Sequence, residues 1–181
     1  LNHFRIRIKV NGKNKQINMK LKPIMFAGTG SDVGKSVITA AFCRIFKQDR
    51  YLPAPFKAQN MALNSYATPD GLEIGRAQAM QAEAAGVPCH TDMNPLLLKP
   101  TADTICQVVL KGKPIGNQHA VDYFTSDNKA KLRTEVFAAF DRLNTHYNPI
   151  VMEGAGSISE INLRELDLVN MPMAAHAKAS V

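Results

Sequence analysis

Nine consecutive residues, Gly28-Thr29-Gly30-Ser31-Asp32-Val33-Gly34-Lys35-Ser36, constrain this chain more than any other stretch. They follow a short apolar run, Pro23-Ile24-Met25-Phe26-Ala27, and precede an amphipathic run that begins at Val37. Strand, glycine-rich loop, Lys-Ser and helix is the order of elements that cradles nucleotide phosphates. Backbone N–H groups of the loop and of the helix N-terminus point at the anion, the lysine adds a mobile positive charge, and the serine hydroxyl is a ligand for Mg²⁺. The common pattern has a glycine five residues before the Gly of Gly-Lys-Ser. Here that position is Thr29, and Gly28 lies one residue further out, which marks a subfamily of phosphate loops. All nine residues are candidates for nucleotide binding. Within them Asp32 is open between helix capping, a hydrogen bond to a partner subunit and catalysis, since a carboxylate beside phosphates is awkward unless it turns away or caps the helix.

The rest of the chain alternates strand and helix. Val37, Ile38, Ala41, Phe42 and Ile45 predict a helix with that stripe packed on a sheet. Pro53-Ala54-Pro55-Phe56-Lys57 reads as a short second strand with Lys57 at its C-terminal end, and residues 58–71 as one long loop. Residues 73–85 predict an alanine- and glutamine-rich helix closed by Gly86 and Pro88, and residues 105–110 a strand bounded by Lys111-Gly112. Leu132, Val136, Phe140, Leu143 and Tyr147 give the clearest helical periodicity, stopped by Asn148-Pro149. Ile150-Val151-Met152 is then a buried strand running into Glu153-Gly154-Ala155-Gly156. The expected fold is α/β, a phosphate-loop-type parallel sheet with helices on both faces and right-handed crossovers. Residues 171–181 look helical, with Pro172 inside, and stop where another strand is due, so the expectation is a sheet truncated at the C-terminus.

Composition narrows the function classes. The chain has 181 residues, 45% of them hydrophobic and 20% charged, enough for one domain with its own core. The net charge of +7 invites a nucleic-acid reading, yet residues 1–18 hold five basic side chains and no acid, while the remainder carries 17 basic and 15 acidic ones. The excess belongs to a basic leader, read as half a hairpin turning at Asn11-Gly12 and as an appended segment ahead of a body at 19–181. No aromatic interleaving accompanies it, so no nucleic-acid partner is expected. No apolar run reaches the roughly 18 residues of a membrane span, and the start lacks a signal-peptide core. Cys43, Cys89 and Cys106 are widely spaced and odd in number, and the five histidines show no ligand spacing. Disulfides and zinc are not expected, and a cytoplasmic location is.

Two further side chains are placed for chemistry. Glu153 stands where a core strand emerges at its C-terminal end, the edge at which open α/β sheets bind ligands. There it is a candidate catalytic residue and, opposite Ser36, a candidate Mg²⁺ ligand. Lys57, at another strand end, is placed to stabilise a transferred phosphoryl group, as is Lys35. Lys99 is a weaker candidate of the same kind.

Taken together, the segments Met25–Ser36, Pro55–Tyr66, Glu73–Gln78, Asp92–Pro95, Leu97–Pro100, Glu153–Ser157, Glu160–Leu163 and Asp167–Asn170 strongly resemble the N-terminal part of cobyric acid synthases. More distantly the chain is similar to dethiobiotin synthetases, which share the long loop and the Glu-Gly-Ala-Gly strand end. The resemblance covers residues 19–181. It implies an ATP- and Mg²⁺-dependent ligase that amidates carboxylates of adenosylcobyrinic acid a,c-diamide in cobalamin biosynthesis through an acyl phosphate. The implied partners are a corrinoid and ammonia derived from glutamine by a C-terminal amidotransferase domain that this sequence lacks. The resemblance also places Asn60, Asn64, Tyr66, Asn162, Asp167 and Asn170 against the corrinoid. Three alternatives stand beside it: a dethiobiotin-synthetase-like carboxylate or carbamate enzyme, a truncated nonfunctional ATP-binding domain, and a partitioning-type nucleotide switch. The switch is disfavoured because residues 28–34 lack a second lysine.

Overall fold

A computed structural model describes residues 7–10, 13–16, 20–102, 105–119, 126–157 and 169–181. Strands are β1 (Arg7–Val10), β2 (Lys13–Gln16), β3 (Ile24–Phe26), β4 (Ala54–Phe56), β5 (Gln59–Met61), β6 (Ser65–Ala67), β7 (Glu73–Gly75), β8 (Leu96–Ala102), β9 (Ile105–Leu110), β10 (Lys113–His119) and β11 (Ile150–Glu153). Helices are α1 (Lys35–Gln48), α2 (Arg76–Ala85), α3 (Ser126–His146) and α4 (Met171–Ala177), with a 3₁₀ turn at Thr91–Met93.

The site is positioned by a parallel three-stranded sheet in the order β3-β11-β4. Every residue of β11 is buried, as expected for a strand covered on both faces. Its side chains alternate accordingly. Ile150 and Met152 join Phe56, Leu132, Val136, Phe140, Leu143 and Met173 on the face covered by α3 and α4. Val151 joins Cys43 and Ala85, with Phe26, Phe42 and Phe46 packed around them, on the face covered by α1 and α2. Phe56 and Phe140 meet edge to face with ring centroids 5.4 Å apart. Both rings are fully buried, and each contributes roughly 1.5–3 kcal/mol relative to an exposed ring. The expected doubly covered parallel sheet is therefore present.

A second sheet, β10-β9-β8-β5, was not foreseen. Its β5–β8 pair is parallel and its other pairs are antiparallel, with Lys111 and Gly112 at positive φ in the two-residue turn between β9 and β10. Residues 58–71, expected as one loop, contain β5 and β6, and β6 pairs antiparallel with β7. The 73–85 helix accordingly starts later, at Arg76. Residues of β5 and β6 line a cleft, and strands of three residues are too short for alternation to announce them. The leader strands pair antiparallel from Arg7↔Gln16 to Val10↔Lys13; the Asn11-Gly12 turn itself lies outside the described residues.

Two helix ends resolve apparent conflicts in the sequence. Pro172 falls in the first turn of α4, where its missing N–H costs nothing. That helix ends at Ala177, and Ser180 then bridges Ile24 in parallel, so this stretch adds to the sheet beside β3 rather than continuing as helix. Arg50, standing where a terminating glycine is natural, takes the left-handed conformation itself at φ 66°. Asp92, buried in the 3₁₀ turn, ties α3 down through a two-pronged ion pair with Arg142 at 2.6 and 2.9 Å, and that hydrogen bonding holds the guanidinium pKa above its ordinary value.

One helix face differs from the expectation. The buried residues of α1 are Thr39 and Cys43, while Val37, Ile38, Ala41 and Ile45 of the predicted stripe are exposed. The loop sets the rotation of this helix. Ser36 points at β11, so residues three and seven positions later share its inward face, and the stripe one and two positions on turns outward.

Candidate functional site

The phosphate loop joins β3 to α1 and ends at Gly34, whose backbone is left-handed at φ 91°. No side chain caps α1, so Asp32 does not serve as its cap; it sits exposed at the rim with φ 45°. Gly28 explains the unusual spacing. A Cβ there would lie 2.8 Å from the Val33 side chain and 3.1 Å from Cδ of Lys35, so the bare backbone makes room for the lysine stem. The Lys35 ammonium arches over the loop and donates to the Gly30 carbonyl at 2.6 Å. Ser157, beyond β11, donates to the Thr29 carbonyl at 2.9 Å and braces the loop from the other side.

Glu153 is the centre of the site. It ends β11 and is 3% exposed, a burial that a carboxylate tolerates only when its oxygens are bonded. The Ser36 hydroxyl donates to Oε1 at 2.8 Å, and the Lys57 ammonium donates to the same oxygen at 2.6 Å. Gln81 of α2 donates to Oε2 at 2.6 Å, and Gln78 approaches it at 3.5 Å. Lys57 follows β4, so the two outer elements of the parallel motif converge on the strand between them. The structure thus brings together Lys35, Ser36, Lys57 and Glu153, four candidates drawn from three separate segments.

Gln78, Gln81 and Asn94 are the polar residues that sequence reasoning missed. Both glutamines are fully buried, and their three-residue spacing puts them on one face of α2. Glutamine in an alanine-rich helix carries no motif, and only the i, i+3 pairing was available as a signal. Asn94 bonds the carbonyls of Lys57 and Leu96 and accepts from the Gly75 N–H at 3.0 Å, tying β4, β8 and the start of α2 together. Gly75 is enclosed by this group: a Cβ would sit 2.5 Å from Nδ2 of Asn60 and 2.6 Å from Oε1 of Gln78. Gly75→Ala is accordingly expected to destabilise the chain by about 1–3 kcal/mol, read as a lower urea midpoint at unchanged slope.

Lys35, Ser36, Lys57 and Glu153 line an open cleft of about 2200 Å³. Single drug-sized ligands occupy roughly 300–1000 Å³, so this cleft has room for a nucleotide and a second large molecule. Asn60, Asn64, Tyr66 and Asn170 also line it. Asn60 is buried and bonds Gln78 at 3.3 Å; the Asn64 carbonyl accepts from the Arg76 N–H; Tyr66 is half exposed. Asn170 clamps the Ala155 backbone through both ends of its amide, at 2.8 and 2.9 Å. Asn162 and Asp167 lie outside the described residues. Lys99 pairs with Glu73; burial pushes that carboxyl up, but the bonds from Lys99 and Ser65 prevail and hold it below its ordinary value. Burial pushes the thiols of Cys43, Cys89 and Cys106 up, Cys43 to about 12, so none is placed as a thiolate nucleophile. No helix among the described residues is long and apolar enough to cross a membrane.

Comparison with known proteins shows the family. A family model described as the CobQ/CobB/MinD/ParA nucleotide binding domain matches residues 24–171. The chain is 74% identical over 165 residues to a cobyric acid synthase of Bacteroides fragilis, covering 91% of this chain and 33% of that protein. It is 77% identical over 161 residues to one from Phocaeicola vulgatus, covering 89% and 32%. Against one from Syntrophobacter fumaroxidans it is 58% identical over 160 residues, covering 88% and 31%. The chain therefore spans about a third of the length of the curated relatives it matches, and the resemblance read from its motifs is borne out.

Proposed function

We propose that this chain, which belongs to the CobQ/CobB/MinD/ParA family of nucleotide-binding domains, holds Mg-ATP and activates a substrate carboxylate as part of a cobyric acid synthase. The observation that carries the reading is the convergence of Ser36, Lys57 and Glu153 on one edge of the parallel sheet, next to Lys35 and the phosphate loop. Two ammonium groups, one carboxylate and a helix N-terminus make an electropositive end that suits a polyphosphate.

The donor set also suits Mg²⁺, which prefers hard oxygen ligands and keeps several waters. Ser36 Oγ and Glu153 Oε1, 2.8 Å apart, are the residues that would hold it. When bound, the ion neutralises phosphate charge. Lys35 and Lys57 are placed to do the same for the terminal phosphoryl group as it moves.

A carboxylate is a poor electrophile toward ammonia, so it is activated first. Its oxygen attacks the γ-phosphorus, the bond to the β–γ bridging oxygen breaks, and ADP leaves. Ammonia then attacks the acyl carbon, a proton passes to solvent, and inorganic phosphate departs as the amide forms. The protein's share is positioning and charge neutralisation. The cleft's volume supports a substrate as bulky as a corrinoid, with Asn60, Asn64 and Tyr66 on its wall and Asn162, Asp167 and Asn170 as further candidates. We assign the ammonia to glutamine hydrolysis, in keeping with the likeness to cobyric acid synthases. A cytoplasmic setting belongs to the same reading.

Hydroxylamine trapping tests the activation step. The chain incubated with Mg-ATP, adenosylcobyrinic acid a,c-diamide and hydroxylamine is expected to yield a corrinoid hydroxamate together with stoichiometric ADP. ADP release without hydroxamate would remove the acyl phosphate from the scheme.

A further inference from the structure

The glutamines of α2 have no role in the reaction described above, yet both are fully buried beside it. We propose that Gln81, backed by Gln78, is a positioning residue for Glu153. It fixes one carboxylate oxygen so that the other is presented to Ser36 and Lys57, and it links that carboxylate to Asn60 on the cleft wall. This inference rests on the proposed Mg-ATP site and deepens it.

The direction of the hydrogen bonds follows from chemistry. An ionised carboxylate accepts only, so the amide nitrogen of Gln81 faces Oε2 of Glu153, at 2.6 Å. That nitrogen also lies 3.3 Å from the Ser36 carbonyl, in the first turn of α1. The remaining oxygen of Gln81 then accepts from Nε2 of Gln78 at 3.4 Å. The oxygen of Gln78 in turn accepts from Nδ2 of Asn60 at 3.3 Å. One polarity therefore runs from Asn60 through Gln78 to Gln81 and Glu153, and reversing any amide would set two like groups against each other.

The division between the two carboxylate oxygens is the functional point. Oε2 is occupied from the α2 side, while Oε1 faces the hydroxyl and ammonium at the phosphate loop. Without Gln81 the carboxylate could turn about its terminal torsion, which is soft, and lose its aim. Burying two amides also costs free energy that an apolar side chain of similar volume would not. A purely structural α2 would have no need of them at these positions. Partners that orient a ligating carboxylate typically contribute about 10- to 100-fold in metal affinity.

The test separates aim from folding. The full chain is titrated with Mg²⁺ at fixed fluorescent ATP analogue, and separately with the analogue in EDTA. Gln81→Leu is expected to raise the Mg²⁺ concentration for half-maximal binding by about tenfold, with metal-free nucleotide affinity within twofold of wild type. Gln81→Met, which keeps an unbranched side chain of similar length, is expected to show the same split. Retention of the wild-type Mg²⁺ requirement by both variants, or equal loss of metal-free and metal-dependent binding in both, would overturn the inference. Absence of nucleotide binding by the wild-type chain would instead overturn the underlying Mg-ATP reading, and this inference with it.

Discussion

Glu153→Gln is expected to cost about 3 kcal/mol of stability and to lower phosphoryl transfer by roughly 10²- to 10³-fold. The stability loss comes from what remains behind. Lys57 has a side chain only 12% exposed and finds its charge partner in Glu153, so removing the carboxylate's charge strands a largely desolvated ammonium. For a chain of this length the melting temperature should fall by roughly 6–12 °C. The activity loss has a different origin, since both the charge that faces Ser36 and the aim of Lys57 disappear. The double variant Glu153→Gln/Lys57→Met separates the two effects. Removing both charges should recover most of the stability while leaving phosphoryl transfer at the level of the single variant. Recovery of both properties together would mean that the pair is structural only.

Lys35→Ala should behave in the opposite way. Its ammonium bonds a loop carbonyl, and the side chain is half-buried at the cleft, so the substitution is expected to change stability by less than about 0.5 kcal/mol. Nucleotide affinity should nevertheless fall about 30- to 100-fold, the size expected when a charge-assisted contact to a phosphate is deleted. Denaturant titration and calorimetric titration of the same sample read the two quantities. A variant that binds Mg-ATP as wild type does would remove Lys35 from the phosphate site.

The parts of this site that sequence made legible are those with a local signature. The loop from Gly28 to Ser36, the strand end at Glu153 and the strand-end lysine at Lys57 each combine a composition switch with a chemical side chain, and the structure gathers them within hydrogen-bonding distance. Helix α3 was legible for the same reason: Leu132, Val136, Phe140 and Leu143 are all buried. What stayed hidden depends on tertiary geometry. The outward stripe of α1 has a helical period as good as any inward one, and only the requirement that Ser36 face Glu153 decides which side packs. Strands β5, β6 and β7 are three residues each and rich in polar side chains, too short for alternation to show. Gln78 and Gln81 look like ordinary helix formers until β11 delivers a buried carboxylate beside them. Polar residues at helix-compatible positions are therefore where sequence reading was weakest and where the site is held together.

The most direct test of the nucleotide site is calorimetric titration of the wild-type chain with Mg-ATP, alongside circular dichroism on the same sample. One nucleotide per chain, weakened by Lys35→Ala and by chelation of Mg²⁺, is the expected result. A folded sample that takes up no nucleotide, or binds it equally well without Lys35 and without Mg²⁺, would contradict the assignment of Gly28–Ser36 and Glu153 as a Mg-ATP site.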